Sequence, residues 1–503
     1  MLQFSPSALL AGIEAGLRGL EPDVAGDVPA RRLCIAYSGG LDSTVLLHAA
    51  ARLCADHPGH RLRAVHIDHQ LHDDSARWST HCEAFAGRLG AAFQKVTVEV
   101  PRRPDQGLEA AARAARYDAL GALLAPGELL LTAHHADDQL ETVLLALMRG
   151  AGLRGLSAMP SGQRFARGWL VRPLLGFTRT ALEAWACQER LEWLTDPSNT
   201  DTRFDRNYLR HRVLPALQER WPAAARSAVR SAAHLGEAGA VLDALAARDY
   251  AAAGVGACVA LEALRSLDPA RRRNLLRYWI RQQGLLAPST RKLAAIEHDL
   301  LRAREDRVPC VAWEGGELRR HAGLIHALRP GEVPAAAFEP LRWPVRWPAT
   351  QPLVLPGGLG RLRLEHCGSR ENGGHETVMA EIGMSGPGLV GPPVTGPPVT
   401  GPPITGLAVT RLAPSLEVRA RRGGEFLRPA GDPHRRTLKK LLQSRGVLPW
   451  WRPHVPLIYS AGRLAAVADL WIAQEFAAGE GEPSARIVWE AGPDLLSSTG
   501  RLG

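Results

Sequence analysis

The chain has little cysteine, and none of it is arranged in close pairs. Its 503 residues include seven cysteines, which are scattered along the sequence without a C-x-x-C motif. A disulfide framework needs an even set of cysteines, and zinc or iron–sulfur sites usually take closely spaced pairs. Neither kind of site is therefore expected to organise this protein.

Lysine is scarce as well, and long hydrophobic runs are missing. Only four of the 61 basic residues are lysines, yet the formal net charge is +10. Such a surplus favours a polyanionic partner without identifying it.

No apolar run reaches the length of a membrane span, and the first 20 residues lack the features of a signal peptide. We expect a cytoplasmic protein with no membrane partner. The sequence leaves the oligomeric state open, and a homodimer is one of the states it allows.

Residues 33–150, within a first predicted domain at 1–225, alternate short apolar runs with stretches of helical periodicity. This alternation predicts an α/β domain whose parallel, doubly wound sheet is covered by helices on both faces. Ligands of such sheets bind at the carboxyl ends of the strands. Three of the four predicted strands end in polar residues, which we expect along one edge. The predicted strands are 33–38, 62–69, 93–100 and 128–135, and the predicted helices lie near 43–55, 75–90, 107–125 and 137–149.

Three further segments follow in the sequence. Residues 226–330 are rich in Ala, Leu and Arg and predict a helical domain. Residues 331–410 begin as a β-like connector, and their part from 367 onward is rich in Gly and Pro, with the repeat GPPVT-GPPVT-GPPIT. A repeat of this composition cannot bury a core and predicts an extended linker or inserted loop. Residues 411–490 predict a small α+β domain.

The stretch Ser38-Gly39-Gly40-Leu41-Asp42-Ser43 connects a predicted strand to a predicted helix. Its glycines allow a tight turn, and the free N–H groups and dipole of the helix attract an anion such as phosphate. Asp42 beside a phosphate would need a Mg²⁺ ion between them, unless it only caps the helix. No Walker A sequence occurs. The stretch resembles the PP-loop of the N-type ATP pyrophosphatases, which split ATP into AMP and pyrophosphate; a simple capped turn is the alternative.

A second group of polar residues follows the fourth predicted strand, in TAHHADDQLET (132–142). His134, Asp138 and Glu141 have the spacing i, i+4, i+7, which predicts one shared helical face above the same edge of the sheet. Carboxylates there suit Mg²⁺ or a cationic amine, and a histidine could shuttle a proton or stabilise a displaced phosphate. An acidic helix start favoured by the helix dipole is the alternative.

Two arginine-rich stretches predict contacts with phosphate or RNA. Arg113 and Arg116 lie on a predicted helix, where they could also pair with Glu109. After a predicted turn at 196–199 come Arg203, Arg206, Arg210 and Arg212, with Phe204 and Tyr208 interleaved. Basic residues beside aromatic ones suit phosphate contacts and base stacking, whereas a solvated amphipathic helix is the alternative.

Five stretches occur in the order found in the bacterial tRNA(Ile)-lysidine synthetases, and the chain resembles this family over most of 30–330 and 411–490. The last of the five distinguishes the family from other PP-loop enzymes. The stretches are SGGLDS (38–43), VHIDHQLHDDS (65–75), GLEAAARAARY (107–117), AHHADDQLETVLLALMRGAGLRGL (133–156) and DPSNTDTRFDRNYLR (196–210).

The resemblance implies a reaction and its participants. ATP would adenylate the C2 carbonyl oxygen of the wobble cytidine in the CAU anticodon of an isoleucine tRNA. Free L-lysine would then displace AMP, with Mg²⁺ accompanying the ATP. The implied roles are ATP binding by Ser38, Gly39, Gly40, Leu41, Asp42 and Ser43, catalysis by Asp42, His134, Asp138, Glu141 and Arg206, and Mg²⁺ binding by Asp42 and Asp138.

The C-terminal segment is strongly basic. Residues 411–452 contain 11 basic and 3 acidic residues, and 434–445 (HRRTLKKLLQSR) predicts a helix with basic i, i+4 pairs. Although a solvated helix would explain the pairs alone, the concentrated charge favours contact with RNA phosphates. The basic residues predicted to contact RNA or phosphate are Arg113, Arg116, Arg203, Arg435, Arg436, Lys439 and Lys440.

Other functions are compatible with parts of this pattern. A PP-loop tRNA thiolase would need catalytic or cluster-binding cysteines in a matching motif, and an amide-forming synthetase would need a glutaminase nucleophile; neither signature is present in the sequence. A non-catalytic RNA-binding protein with a vestigial nucleotide fold would have no need to keep Asp42, His134, Asp138 and Glu141 together.

Overall fold

The computed structural model describes residues 4–18, 31–70, 74–101, 108–195, 201–304, 307–347, 350–367 and 406–490. The chain forms two compact units, Met1–Leu242 and Asp243–Gly503. The predicted turn at 196–199 and the GPPVT repeat lie outside the described residues, as does the side chain of Glu109. None of the helices in the described ranges combines the length and the apolar character that crossing a membrane requires.

The first unit is built around a six-stranded sheet with the order β3-β2-β1-β4-β6-β5. All neighbouring strands are parallel except β5 and β6, which form an antiparallel pair at one side. The strands are β1 (Arg32–Ala36), β2 (Arg61–Asp68), β3 (Ala92–Thr97), β4 (Leu129–Leu131), β5 (Gly162–Phe165) and β6 (Gly168–Val171).

The helices of this unit follow the strands as the sequence predicts. They are α1 (Pro6–Leu17), α2 (Leu41–Asp56), α3 (Ser75–Arg88), α4 (Leu108–Leu123), α5 (Ala136–Met148), α6 (Leu153–Leu156), α7 (Arg179–Gln188), α8 (Asp205–Tyr208) and α9 (Leu214–Arg220), and α10 (Ala224–Ala253) continues into the second unit. A π-helical turn, Leu209–Val213, joins α8 to α9.

The doubly wound sheet is confirmed, and its strand order locates the binding edge. From β1 the chain moves outward to β2 and β3 and then returns to place β4 on the other side of β1. β1 and β4 are buried because their side chains pack against helices on both faces, as their continuous apolar runs predict. The reversal of direction between β1 and β4 leaves a crevice at the carboxyl ends of these strands, where ligands of such sheets bind.

The part of the second unit up to Leu328 contains the predicted helices and, in addition, a sheet that the sequence analysis did not predict. α12 (Pro269–Gln282) begins after its N-cap Asp268 and ends before Gly284, as expected. The sheet has the order β7-β8-β11-β10-β9. Its strands are short and partly charged, which explains the weak sequence signal. The elements are β7 (Gly254–Val255), β8 (Cys258–Ala260), α11 (Leu261–Ser266), α12, α13 (Thr290–Ala295), β9 (Cys310–Trp313), β10 (Gly316–His321) and β11 (Leu324–Leu328).

The segment predicted as a connector shares its sheets with the C-terminal strands. One sheet has the order β12-β16-β19-β20-β21 and another β13-β14-β22-β15, and β17 pairs with β18. A single hydrophobic core runs through this region and includes Trp343 and Trp451. The elements are β12 (Leu341–Pro344), β13 (Leu353–Val354), β14 (Arg361–Cys367), β15 (Leu407–Ala408), β16 (Ser415–Arg419), β17 (Phe426–Leu427), β18 (Arg436–Thr437), α14 (Leu438–Ser444), β19 (Leu457–Ser460), β20 (Arg463–Val467), β21 (Trp471–Ile472) and β22 (Ser484–Glu490).

The predicted helix at 434–445 is shorter than expected. Thr437 caps α14, its side chain accepting a hydrogen bond from the backbone of Lys440, so the helix begins only at Leu438. Arg436 instead belongs to strand β18, and Arg435 precedes that strand. The prediction that both arginines form i, i+4 pairs with lysines on a helical face is therefore wrong, because the strand pairing and the cap stop the helix from extending backwards.

Candidate active site

The PP-loop turns sharply between β1 and α2. Gly39 has a φ of +83°, and a Cβ atom there would lie 2.8 Å from the sulfur of Cys82. Only glycine fits such a position, because the backbone is left-handed and the space is already taken. The Oγ atoms of Ser38 and Ser43 lie 3.0 Å apart, and Ser43 Oγ also donates to the carbonyl of Gly40. These bonds hold the hydroxyls and the start of α2 in an arrangement suited to an anion.

The loop opens into a cavity of about 700 Å³ at the carboxyl edge of the sheet. Polar residues that end β2 and β4 line it, as the sequence predicts, together with parts of α4 and of the segment 204–210. Eight of the predicted site residues are in the lining: Ser38, Gly40, Asp42, Ser43, Arg113, Arg116, His134 and Arg206. Other lining residues that bear on the chemistry are Asp68, His69, Trp78, Tyr117, Phe204, Asn207 and Arg210.

The remaining predicted residues lie elsewhere. Leu41 is buried in the hydrophobic core beneath the loop, so only its backbone is available to a ligand in the cavity. Arg203 has an exposed side chain that pairs with Asp201 at 2.7 Å. Asp138 and Glu141 are buried and reach the cavity through Arg210.

Arg210 bridges the two carboxylates of α5. Its Nε lies 2.8 Å from Glu141 Oε1, and its Nη2 lies 3.1 Å from Asp138 Oδ1 and 3.2 Å from Glu141 Oε2. Burial raises the pKa of the Glu141 carboxyl group, although Arg210 acts in the opposite direction. Because both carboxylates are occupied by this guanidinium, their predicted direct contacts with Mg²⁺ or an amine stay predictions.

His135 lies at the centre of a group of three carboxylates. Its ring nitrogens are 3.4 Å from Asp138, 3.5 Å from Asp137 and 3.6 Å from Asp42, and the side chain is almost completely buried. Burial alone would lower the pKa of His135, but the carboxylates of Asp138, Asp137 and Asp42 outweigh it and raise the pKa to about 10. His135 is therefore a buried cation at neutral pH, and it links the PP-loop to the start of α5.

The neighbouring His134 has the opposite character. It precedes the N-cap of α5, so the predicted helical face shared by His134, Asp138 and Glu141 is confirmed only for the two carboxylates. Its Nδ1 lies 2.9 Å from Thr132 Oγ1. Removal from water lowers the pKa of His134, and nearby arginines lower it further against the pull of Asp138. His134 is therefore a neutral imidazole that faces the cavity.

The cation-rich side of the cavity comes from α4 and α8. Arg116 donates to His69 Nε2 at 3.3 Å, and Arg113 lies over the ring of Tyr117 at 5.2 Å. Arg206 donates to Thr142 Oγ1 at 3.2 Å. Three guanidinium groups, each held by a neighbour, thus line a cavity that also holds the anion-binding loop, which suits a polyphosphate.

The carboxylates near the PP-loop suit a Mg²⁺ ion that takes most of its ligands from the substrate. Asp42 Oδ1 is buried and has no hydrogen-bond partner. Within the described ranges, no group of three or more His, Cys, Asp or Glu side chains could hold a metal ion by itself. Mg²⁺ commonly binds through one or two carboxylates together with phosphate oxygens. Asp42 is therefore the residue that would hold it, whereas both oxygens of Asp138 already accept hydrogen bonds.

Family models match three parts of the chain. The model of the PP-loop domain matches residues 19–217. The models of the TilS substrate binding domain and the TilS substrate C-terminal domain match residues 260–326 and 416–489. All the residues that line the cavity lie within the range matched by the PP-loop domain model.

Relatives match almost the whole chain. The tRNA(Ile)-lysidine synthase of Alkalilimnicola ehrlichii is 42% identical over 93% of this chain and 95% of its own length. The enzyme of the same name from Methylococcus capsulatus is 38% identical over 90% and 95%, and that from Pseudomonas aeruginosa is 42% identical over 87% and 89%. The chain belongs to the tRNA(Ile)-lysidine synthase family. Among solved structures, the U34-tRNA thiolase NcsA from Methanococcus maripaludis covers 46% of this chain and 79% of its own at 16% identity and a TM-score of 0.38, which is too weak to bear on function.

The structure gives two residues in the site of this family member roles that were not predicted for them. Arg210 was predicted among the arginines suited to phosphate contacts, but its guanidinium bridges Asp138 and Glu141. His135 is adjacent to His134 in the sequence, but local spacing cannot show which of two neighbouring histidines is buried among carboxylates. That distinction depends on the packing of α5 against the PP-loop.

Proposed function

We propose that this chain uses ATP to attach free L-lysine to C2 of the wobble cytidine in the CAU anticodon of an isoleucine tRNA. The tRNA is first adenylated on the C2 oxygen, and AMP and pyrophosphate are released. The observation that carries the proposal is that the PP-loop and the segment 204–210, which belongs to the stretch distinguishing lysidine synthetases, line one cavity.

The loop residues would bind the phosphates of ATP. Backbone N–H groups at the start of α2 and the hydroxyls of Ser38 and Ser43 supply donors, and the dipole of this 16-residue helix adds to the attraction. Asp42 would hold Mg²⁺, which neutralises phosphate charge when it is bound.

The arginines and His134 would stabilise the departing pyrophosphate. Arg113 and Arg206 supply positive charge at the cavity wall. His134 is neutral, so it contributes a hydrogen bond without giving up a proton to the leaving group. Preorganised donors aimed at developing negative charge typically contribute about 3–4 kcal/mol each to lowering a barrier.

The buried carboxylates would prepare the site for the amine of lysine. An ammonium group must lose a proton before it can attack the adenylated carbon. Asp42 lines this side of the cavity, whereas Asp138 and Glu141 lie behind Arg210, which pairs with both of them. His135 lies between Asp42 and Asp138 and keeps their charges in fixed positions. Lysine is therefore expected to enter beside Asp42, which lines the cavity, rather than next to Arg113.

Incorporation of labelled lysine tests the proposal directly. The purified chain is incubated with ATP, Mg²⁺ and isoleucine tRNA bearing a CAU anticodon. A methionine tRNA and an isoleucine tRNA with a substituted wobble base serve as controls. We expect lysine-dependent labelling of the first tRNA alone. Cleavage of ATP to AMP without lysine incorporation would leave the PP-loop chemistry in place and refute lysine as the nucleophile.

A further inference from the structure

One wall of the cavity carries an exposed aromatic ring that the proposed chemistry has not used. Phe204 lines the cavity together with Arg206, Asn207 and Arg210, and 38% of its surface is exposed. A phenylalanine of this size usually gains about 1.5–3 kcal/mol from full burial. Leaving such a ring open at a cavity wall forgoes part of that gain, which calls for an explanation.

Hydrogen bonds fix the backbone turn that carries Phe204, while its side chain stays partly exposed. The N–H of Phe204 donates to the carbonyl of Asp201 at 3.4 Å, and the carbonyl of Phe204 accepts from Tyr208 at 2.9 Å. The side chain of Asn207 donates to the same Asp201 carbonyl at 3.0 Å. Phe204 therefore occupies the N-cap of α8 in a hydrogen-bonded turn, which keeps its backbone at the wall of the cavity.

A purely structural role does not account for this position. Within the described residues, Phe204 is absent from the hydrophobic clusters of the first unit. By contrast, Tyr37 is buried in the core beneath the loop, and Tyr117 packs edge-on against Phe165 at 5.8 Å. Phe204 thus differs from these lining aromatics in offering its ring to the cavity rather than to the protein interior.

The surroundings of Phe204 indicate which ligand its ring would meet. The phosphates of ATP are assigned to the loop at Ser38–Ser43, whereas Phe204 is flanked by Arg203, which is exposed, and by Arg206. An aromatic ring next to arginines is a common site for an unstacked RNA base, since the arginines neutralise the RNA backbone while the ring replaces the lost stacking.

We propose that Phe204 stacks on the wobble cytosine and holds its C2 oxygen in the cavity during adenylation. This inference rests on the proposed function, because the cytidine is its ligand. A base must leave the anticodon stack to reach the loop, and stacking on Phe204 compensates for part of that cost. Phe204 is a positioning and binding residue in this account and takes part in no proton transfer.

Substitutions at Phe204 separate stacking from simple hydrophobic contact. We expect Phe204→Leu to lower kcat/KM for the tRNA about tenfold or more, because base–aromatic stacking typically contributes one to two orders of magnitude in binding. Phe204→Tyr and Phe204→Trp keep a ring and should stay within a few-fold of the wild type. The KM for ATP should stay unchanged in all three. Trp221→Leu, which removes a 59%-exposed aromatic outside the cavity lining, is the matched control.

A binding measurement covers the case in which a variant is inactive. A fluorescent cytosine analogue is placed at the wobble position of an anticodon stem-loop RNA. Stacking on Phe204 should quench its fluorescence in the wild type and in Phe204→Trp, but not in Phe204→Leu. Circular dichroism and thermal unfolding confirm that the variants are folded.

The outcomes distinguish this inference from the proposed function. Failure of the wild-type chain to incorporate lysine would refute the proposed function itself. If the wild type is active and Phe204→Leu matches it in kcat/KM for the tRNA and in fluorescence quenching, the ring of Phe204 does not stack on the base. Equal losses in the Leu, Tyr and Trp variants would mean that Phe204 shapes the wall, and a raised KM for ATP alone would assign the ring to the adenine.

Discussion

Arginines in the first unit and basic residues in the second carry the same charge in very different surroundings. Around the cavity, Arg210 makes three hydrogen bonds to Asp138 and Glu141, which are buried. In the second unit, Arg436 pairs with Asp432 at 3.0 Å on the surface, while Lys439 and Lys440 are exposed on α14.

Because their surroundings differ, basic residues of the two units are expected to differ in how much activity or stability is lost when they are substituted. A buried charge that loses its partner leaves the other group unpaired in a poorly solvated site, which is costly. An exposed charge acts on a polyanion mainly through counterion release, so its effect is modest, additive and dependent on salt. Five substitutions test this contrast, and they are described from the largest expected effect on activity to the smallest.

Asp42→Asn should have the largest effect. It removes the negative charge suited to Mg²⁺ and one of the three carboxylates around His135. We expect adenylation, measured as tRNA-dependent pyrophosphate release, to fall at least about a thousandfold, in line with the several kcal/mol that metal ions supply. Binding of the tRNA should stay within a few-fold. Asp118→Asn, at an exposed position on α4, is the control, and unchanged turnover of Asp42→Asn would remove Asp42 from the mechanism.

Arg210→Met should reduce both activity and stability. It leaves Asp138 and Glu141 without their guanidinium, and breaking a buried ion pair from one side typically costs about 3–5 kcal/mol of unfolding free energy. Adding Glu141→Met should restore part of the stability without restoring lysine incorporation. Urea unfolding and the labelling assay measure the two quantities. A double variant as unstable as the single one would contradict the assignment of Arg210 and Glu141 as a coupled pair.

Lys439→Ala and Lys440→Ala should change only the affinity for tRNA. Each is expected to weaken binding several-fold and to lower the slope of log affinity against log salt by about 1 if it contacts a phosphate. The kcat at saturating tRNA should not change. Filter binding at several salt concentrations measures the slope, and a slope equal to that of the wild type would exclude phosphate contacts by these lysines.

Glu128→Gln should leave activity unchanged, although it also breaks a buried ion pair. Glu128 lies just before β4 and receives bonds of 2.7 and 2.8 Å from Arg63. Both residues lie near the amino ends of the strands, away from the edge that carries the cavity. We expect a loss of about 1–3 kcal/mol in unfolding free energy with normal lysine incorporation. A large loss of activity would show that buried charge at either edge of the sheet controls the site.

The pH dependence of the Glu128 ion pair has a defined sign. Burial alone would raise the pKa of Glu128, but the bonds from Arg63 outweigh it and lower the pKa below its ordinary value. The stabilising contribution is therefore complete above the unfolded-state pKa of about 4.3 and is lost as the pH falls through the lower folded-state value. Unfolding measured between pH 7 and pH 3 should bring the wild type and Glu128→Gln closer together as the pH falls.

Much of the first unit could be predicted from local sequence. The strand and helix positions agree within a few residues, because their apolar runs are long and regular. The PP-loop could be predicted because its glycines and hydroxyls are consecutive and their function depends on local backbone geometry. Family membership is also confirmed. The sheet within 254–328 was not predicted, since strands of two to six residues carry little periodic signal.

The limits of prediction are clearest at single residues. His134 was predicted to share a helical face with Asp138 and Glu141, but α5 begins only at Ala136, because His135 takes the N-cap position and its backbone N–H donates to Asp138. The predicted start of the C-terminal helix was early for a similar reason, since Thr437 forms the cap. In both cases the periodicity extended past a capping residue that fixes the true boundary.

The sequence by itself determined the loop, the order of strands and helices, the family and the types of charged residue available for catalysis. These features depend on residues that are close in the chain. Only the tertiary structure decided that His135 is a buried cation and His134 is neutral, that Arg210 joins Asp138 to Glu141, and that Phe204 is open to the cavity. Burial and the distances between charges on separate elements decide each of these, because they set the cost of losing water and the strength of each ion pair.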